Sequence, residues 1–145
     1  MEMFETATTL SRLAFSLREA TGAKAVLVTE VAKPYQFILA NAGLTLPADM
    51  VRAMPISHSI CQHVVAMDFP LLVDDAMTHP LLRGNGAVDQ MGVCAYLGAP
   101  IRRRDGRPCG AICAIETQPR RWTTEDLSLV LKAARRADDL LYQNV

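Results

Sequence analysis

Several common devices are missing from this chain, and each absence narrows what it does. No apolar run approaches the ~20 residues that span a bilayer. The start, Met1-Glu2-Met3-Phe4-Glu5, carries acid where a secretory signal carries base. The 15 basic and 15 acidic side chains cancel, so no global field draws the chain to nucleic acid or to an anionic membrane. The expectation is a cytoplasmic protein with neither a membrane nor a nucleic-acid partner. Cysteine is sparse: Cys61, Cys94, Cys109 and Cys113. With no export signal, a reducing compartment and buried free thiols are the plain reading. Internal repeats, low-complexity tracts and long linkers are absent too.

What remains is a chain of 145 residues, half of them apolar, read as one domain over 1–145. A domain of this size buries roughly two-thirds of its unfolded surface, so neither metal nor disulfide staples are required. The first helix is expected over Glu5–Ala20, with Phe4, Ala7, Leu10, Ala14 and Leu17 as one apolar stripe and Gly22 as its stop. Strands are expected at Lys24–Glu30 and Tyr35–Ala40, turned by Ala32-Lys33-Pro34. Leu44–Met54 is ambiguous, with a short helical turn. A second helix begins near Ser57 or Ser59, with capping-box spacing from Ser59 to Gln62. Leu71-Leu72-Val73 is a short strand ending at Asp74-Asp75. The polar, Gly-containing stretch Ala76–Met91 is irregular apart from a short helix at Ala87–Met91.

The strongest local signal is a hairpin: Val93–Arg102, a turn at Asp105-Gly106 with both central residues at φ > 0, and Cys109–Thr117 returning. Both strands are apolar on both faces, which places them in the middle of a sheet covered on two sides. A last helix runs from about Thr124 to Tyr142 behind a Thr123/Asp126 capping box, with Leu127, Val130, Leu131, Ala134, Ala137 and Leu141 as its stripe. The order of elements argues an α+β layer architecture, an antiparallel sheet of five to six strands with helices packed on it.

An ordered run of motifs resembles the GAF family, whose architecture is PAS-related. The run starts with Ser57-His58-Ser59-Ile60-Cys61 and Phe69-Pro70-Leu71-Leu72-Val73-Asp74-Asp75, then His79-Pro80-Leu81 with Asn85. Gly92–Ile101, Asp105-Gly106, Gly110–Ile115, Pro119-Arg120-Arg121-Trp122-Thr123 and Asp126-Leu127 complete it, over about Phe4 to Leu141. The resemblance implies a ligand pocket on one sheet face, roofed by the irregular segment. It also implies terminal helices that pack side by side, often across a dimer, and pass signals to a neighbouring domain.

Spacing bears on each candidate chemistry. His58 and Cys61, three apart on one helical face, are two ligands where a structural zinc site takes four. His58 and His63 lie about 140° apart round a helix. Cys109 and Cys113 share a strand face but stand roughly 13 Å apart. No metal is expected. One GAF subfamily reduces free methionine sulfoxide. Cys61 falls near one of its cysteine positions, but this chain has Val88-Asp89-Gln90 where the catalytic cysteine is expected. The turn sets Cys94 opposite about Thr117 and Cys113 opposite about Gly98, so no two thiols face each other across the hairpin. The Asn-Lys…Phe…Asp-Glu signature of cyclic-nucleotide-binding members is missing, as is the Cys-His pair of bilin-binding ones. Nothing in the spacing favours haem at His58, His63 or His79, and the cofactor stays unknown. Arg102, Arg103, Arg104 and Arg107 read as a solvated hairpin tip. Asp74 and Asp75 point to opposite faces and suit a turn or cap better than paired acid/base work.

The resulting expectation is a regulatory, sensory module and not an enzyme, with no catalytic residues. It binds an unidentified small molecule near Cys61, Asp74, His79, Arg83 and Tyr96 and signals through its terminal helices as a homodimer. Arg83 would pair an anionic group and Tyr96 would stack or donate a hydrogen bond. The alternatives are a dimerisation module with a vestigial pocket and a thiol enzyme of the methionine sulfoxide reductase kind.

Overall fold

The computed structural model describes residues 3–143, and side chains over 6–142. Helix α1 spans Met3–Thr21. Its Leu10, Ala14 and Leu17 are buried as expected, whereas Ala7 is exposed and Phe4 lies outside the described side chains. Strands β1 (Ala25–Ala32) and β2 (Tyr35–Ala42) follow, joined through Lys33-Pro34. The ambiguous stretch holds a short turn of helix at Ala48–Met50 and a strand, β3 (Ala53–Pro55), that the sequence reading did not separate. A helical turn at Ile56–His58 precedes α2 (Cys61–Met67). Ser59 caps α2 through its Oγ, which accepts the Gln62 N–H at 3.0 Å. Strand β4 (Leu71–Val73), a helical turn at Ala76–Thr78 and helix α3 (Gly86–Met91) lead into β5 (Ala95–Arg102) and β6 (Pro108–Glu116). Helix α4 spans Thr124–Asp138 behind the expected Thr123/Asp126 capping box, and the chain continues as a wider π-type turn over Asp139–Gln143.

The six strands form one antiparallel sheet in the order β3-β2-β1-β6-β5-β4. The period of two in a strand sends alternate side chains to opposite layers. Val26, Val28, Leu97, Ile112 and Ala114 face the layer of α1 and α4, which pack against each other and on the sheet. Leu27, Tyr96, Ala111, Cys113 and Ile115 face the layer of α2 and α3. Burial on both faces explains why β5 and β6 read as continuous apolar runs. Trp122 fastens the start of α4: its Nε1–H donates to the Val73 carbonyl at 3.0 Å, and Arg120 lies 4.5 Å over its ring. Arg120 also bridges to Glu116 at 2.7 Å and Asp126 at 3.3 Å.

The hairpin differs from its expected form. Gly106 N–H donates to the Arg103 carbonyl, so the central turn residues are Arg104 and Asp105, and Gly106 alone has positive φ. The turn is followed by a bulge: Ile101 pairs with Gly110 and Arg102 with Pro108, which leaves Cys109 as the extra residue. The extra residue shifts the face. Cys109 therefore sits in the α1/α4 layer and Cys113 in the α2/α3 layer, rather than both on one face. Beyond the bulge the expected register holds, with Gly98 opposite Cys113.

Candidate functional site

On the α2/α3 side, a small cavity lies between the sheet and the helices that roof it. Its floor is Leu27 on β1, Tyr96 on β5, and Cys113 and Ile115 on β6, and its roof includes His58, Ile60, Cys61, Ala87 and Met91. Gln36, Leu44, Met54 and Val93 close the sides. The free volume is about 20 Å³, room for about one water. Leu44 and Met91 are the lining residues that reach solvent. None of the lining residues is Asp, Glu, Lys or Arg.

The floor carries a thiol–phenol cluster. Cys61 Sγ lies 3.0 Å from Tyr96 Oη and 4.0 Å from Cys113 Sγ. All three side chains are buried. Tyr96 and Cys113 meet because both point to the same sheet face on paired strands, one diagonal step apart. Cys61 reaches them from the first turn of α2 above. Gly98 makes the arrangement possible, since a Cβ there would overlap the Tyr96 hydroxyl and ring. Interaction with Cys113, then Thr29 and Tyr96, favours the Cys61 thiolate against burial and lowers its pKa. The same coupling and burial hold Cys113 as a thiol. Burial foremost keeps the Tyr96 phenol protonated and able to donate.

Polar bonds tie the roof to the body. His58 Nε2 lies 2.8 Å from Gln90 Oε1, and its Nδ1 lies 3.1 Å from Ser57 Oγ. Gln90 Oε1 can only accept, so Nε2 carries a proton. Asn85 caps α3 by accepting the Ala87 N–H and donates from its side chain to the Ser59 carbonyl at 3.0 Å. Ser59 Oγ in turn donates to Gln36 Oε1. His58 and Cys61 do not share a helical face, because α2 begins only at Cys61. The imidazole bonds α3 while the thiol bonds the sheet.

Of the five residues expected at the ligand site, Cys61 and Tyr96 line this cavity together. Asp74 and His79 instead line an open groove with Asp75, Thr78, Arg121 and Trp122. Asp74 accepts the Trp122 N–H at 3.4 Å, and Asp75 caps the turn at Ala76–Thr78 by accepting the Met77 N–H at 3.0 Å. Arg83 is exposed and lines neither space. The sequence reading missed Cys113, His58, Gln36 and Met54 as cavity residues. No two thiols face each other across the hairpin, as expected, but Cys61 and Cys113 meet between layers, their sulfurs 4.0 Å apart. Among the described residues, no group of three or more His, Cys, Asp or Glu side chains converges as a metal site, and no helix is long and apolar enough to cross a membrane. At the hairpin tip, Arg102 pairs with Asp68, Arg107 with Asp105, and Arg103 lies over the Tyr142 ring.

An antiparallel sheet covered by terminal helices on one face and by a roofed cavity on the other defines a pocketed α+β domain. The family model described as GAF domain matches residues 5–138, and the chain belongs to the GAF domain family. A comparison with curated protein sequences finds no match. Among solved structures, the type II free methionine-R-sulfoxide reductase from Thermoplasma acidophilum is similar at 14% identity, covering 93% of this chain and 91% of that one, with a TM-score of 0.75. The GAF domain from Acinetobacter phosphoenolpyruvate-protein phosphotransferase is similar at 13% identity, covering 93% and 80%, with a TM-score of 0.73. The blue-light absorbing form of the Thermosynechococcus elongatus PixJ GAF domain is similar at 17% identity, covering 95% and 88%, with a TM-score of 0.73. At these identities the likeness establishes the fold. The fold is shared by a reductase and by GAF domains of a phosphotransferase and a photoreceptor, so function is argued from the site.

Proposed function

We propose that this GAF domain is a regulatory sensor of a signal-transduction system in the cytoplasm. It binds an uncharged, mainly apolar small molecule in the cavity on the sheet face and signals through α1 and α4 as a homodimer. The observation that carries the reading is the cavity lining: apolar walls, a few polar side chains (Gln36, His58, Cys61, Tyr96), and no Asp, Glu, Lys or Arg. Such a lining orients a ligand by hydrogen bonds and excludes ions, whose desolvation nothing there offsets. Arg83 therefore has no part in holding an anion. The cavity is closed around about 20 Å³, so a ligand larger than water enters only when the Ala76–Met91 roof moves. That motion breaks the His58–Gln90 and Asn85–Ser59 bonds, each worth about 1 kcal/mol net. The sheet is the relay, because β1, β5 and β6 present alternate side chains to the cavity layer and to the terminal helices. Exposed Phe15 on α1 and Leu131 on α4 offer apolar surface to a second copy.

Thermal-shift screening against a metabolite library, nucleotides and tetrapyrroles included, tests the reading. A neutral ligand at a hundred times its Kd stabilises the fold by about 2.7 kcal/mol, which raises Tm by roughly 5–10 °C. Stabilisation by charged ligands alone, or by none, sinks it. A dimer in sedimentation with no stabilising ligand instead indicates a dimerisation module with a vestigial pocket.

One observation favours a second reading, a thiol enzyme of the methionine sulfoxide reductase kind: Cys61 in the roof and Cys113 in the floor meet, with their sulfurs 4.0 Å apart. Turnover of methionine sulfoxide with a thiol reductant, lost in Cys61→Ser, would establish it. The lining ranks it second, since it offers no ion pair to the charged ends of a free amino acid.

A further inference from the structure

We infer that Cys61 and Cys113 are a peroxide-oxidised dithiol, a modification site that closes to an intramolecular disulfide beneath the cavity. The inference rests on the thiol geometry and on access through the cavity, and it stands whichever ligand, if any, the cavity takes. The two sulfurs are 4.0 Å apart, and both are free thiols. They belong to different layers, Cys61 to the first turn of α2 and Cys113 to the middle of β6. Cys94, half-buried beside Asp75, and Cys109, on the opposite sheet face, are remote from the pair.

Access, activation and partner coincide at Cys61. The cavity of about 20 Å³ is lined by Cys61, Cys113 and Tyr96 and also by Leu44 and Met91, which are partly exposed. With room for about one water, it passes hydrogen peroxide on a far smaller opening of the roof than a bulky organic hydroperoxide needs. Tyr96 Oη, 3.0 Å from Cys61 Sγ, donates to the sulfur once it ionises, and the lowered pKa of Cys61 agrees with that bond. Cys61 is thus the attacking sulfur and Cys113 the resolving one.

The Cys61 sulfur attacks one peroxide oxygen and the O–O bond breaks. The other oxygen departs as hydroxide, takes up the proton that Cys61 released, and leaves as water. Cys61 is now a sulfenic acid. The Cys113 sulfur then attacks the Cys61 sulfur, the S–O bond breaks, and the hydroxyl leaves with the Cys113 proton as a second water. Two thiols have given up two electrons and two protons, and one hydrogen peroxide has become two waters. The sulfurs must close from 4.0 Å to about 2.05 Å, which draws α2 onto β6 and removes the thiol that Tyr96 bonds.

Hydrogen peroxide treatment of the full chain, followed by intact mass and a non-reducing peptide map, tests this. The expected result is a loss of two hydrogen atoms in mass, reversed by dithiothreitol, and a map that joins Cys61 to Cys113. In Cys113→Ser the oxidation stops at a sulfenic acid on Cys61 that dimedone traps, while Cys94→Ser and Cys109→Ser leave the crosslink intact. The wild-type map needs no variant to fold, so it decides by itself. A crosslink through Cys94 or Cys109, or oxidation of Cys61 to sulfinic acid with Cys113 still a thiol, overturns the inference. Equal rates with hydrogen peroxide and cumene hydroperoxide overturn the route through the cavity.

Discussion

Replacing Gly86 with alanine sets two opposed effects against each other at the roof. Gly86 is the first residue of α3, and its φ is not in the left-handed region, so an alanine backbone is allowed there. On helix propensity alone the change stabilises by about 1 kcal/mol. The new Cβ, however, would lie 2.6 Å from Cδ2 and Cγ of His58 and 2.7 Å from Cε1. That is roughly 0.8 Å inside ordinary contact, on the steep wall of the potential. The ring cannot swing away cheaply, because both nitrogens are engaged, by Ser57 and by Gln90. Overpacking of this kind costs about 1–3 kcal/mol, so the net effect of Gly86→Ala is a loss of about 0–2 kcal/mol and a Tm lower by up to roughly 6 °C. In a His58→Ala background the clash is gone and the same substitution becomes stabilising. Urea denaturation of the four proteins of this double-mutant cycle measures the coupling. A Gly86→Ala protein more stable than wild type, or additive effects in the cycle, refutes the packing argument.

Two other outcomes are expected. Thr123→Ala removes the acceptor of the Asp126 N–H at 3.0 Å and lowers stability by about 1 kcal/mol, read as a fall in urea midpoint with unchanged m-value. Burial foremost, then the charges of His79 and Lys33, lowers the pKa of His63 below its ordinary 6.5. The unfolded chain then binds more protons than the folded one near that pH, so stability falls as pH drops from about 7 through 6.5 toward the folded value. His63→Gln should flatten this part of the profile, and an unchanged slope would reject the assignment.

The fold was largely legible because its elements carry local signals. The apolar period of α1 and α4, the Thr123/Asp126 box and the two-sided apolar runs of β5 and β6 all act within a few residues. Strand β3 escaped because three residues pairing with β2 leave too short a pattern to distinguish from a loop. The hairpin turn was misread because Asp-Gly suits two turns: the two-residue form, and the longer one in which glycine alone takes positive φ. That choice moved Cys109 to the other face. The site was half legible. The register alone places Tyr96 beside Cys113, with Gly98 clearing room for the ring. It does not show how α2 lies on the sheet, and only that docking brings Cys61 to them. Asp74, His79 and Arg83 were grouped with the cavity from the polar, irregular stretch between two apolar strands and from the family resemblance. The chain stays packed on this side through Ala76 and Leu82, but Asp74 and His79 line the open groove and Arg83 is exposed.

The centre of the sheet joins strands from far apart in the chain. Ala25 lies opposite Ile115, while β1–β2 and β5–β6 are local pairs. Two hairpins can therefore form early, but β1 keeps one hydrogen-bonding edge bare until β6 exists to cover it. Closing so long a loop is slow on entropic grounds. During synthesis, the nascent chain must carry the apolar run Ala25–Val28 unpaired on that side until nearly the whole domain has been made. Fragments that stop short of β6 lack the partner of β1 altogether and present a sticky edge to one another, so aggregation, rather than a stable half-domain, is their fate.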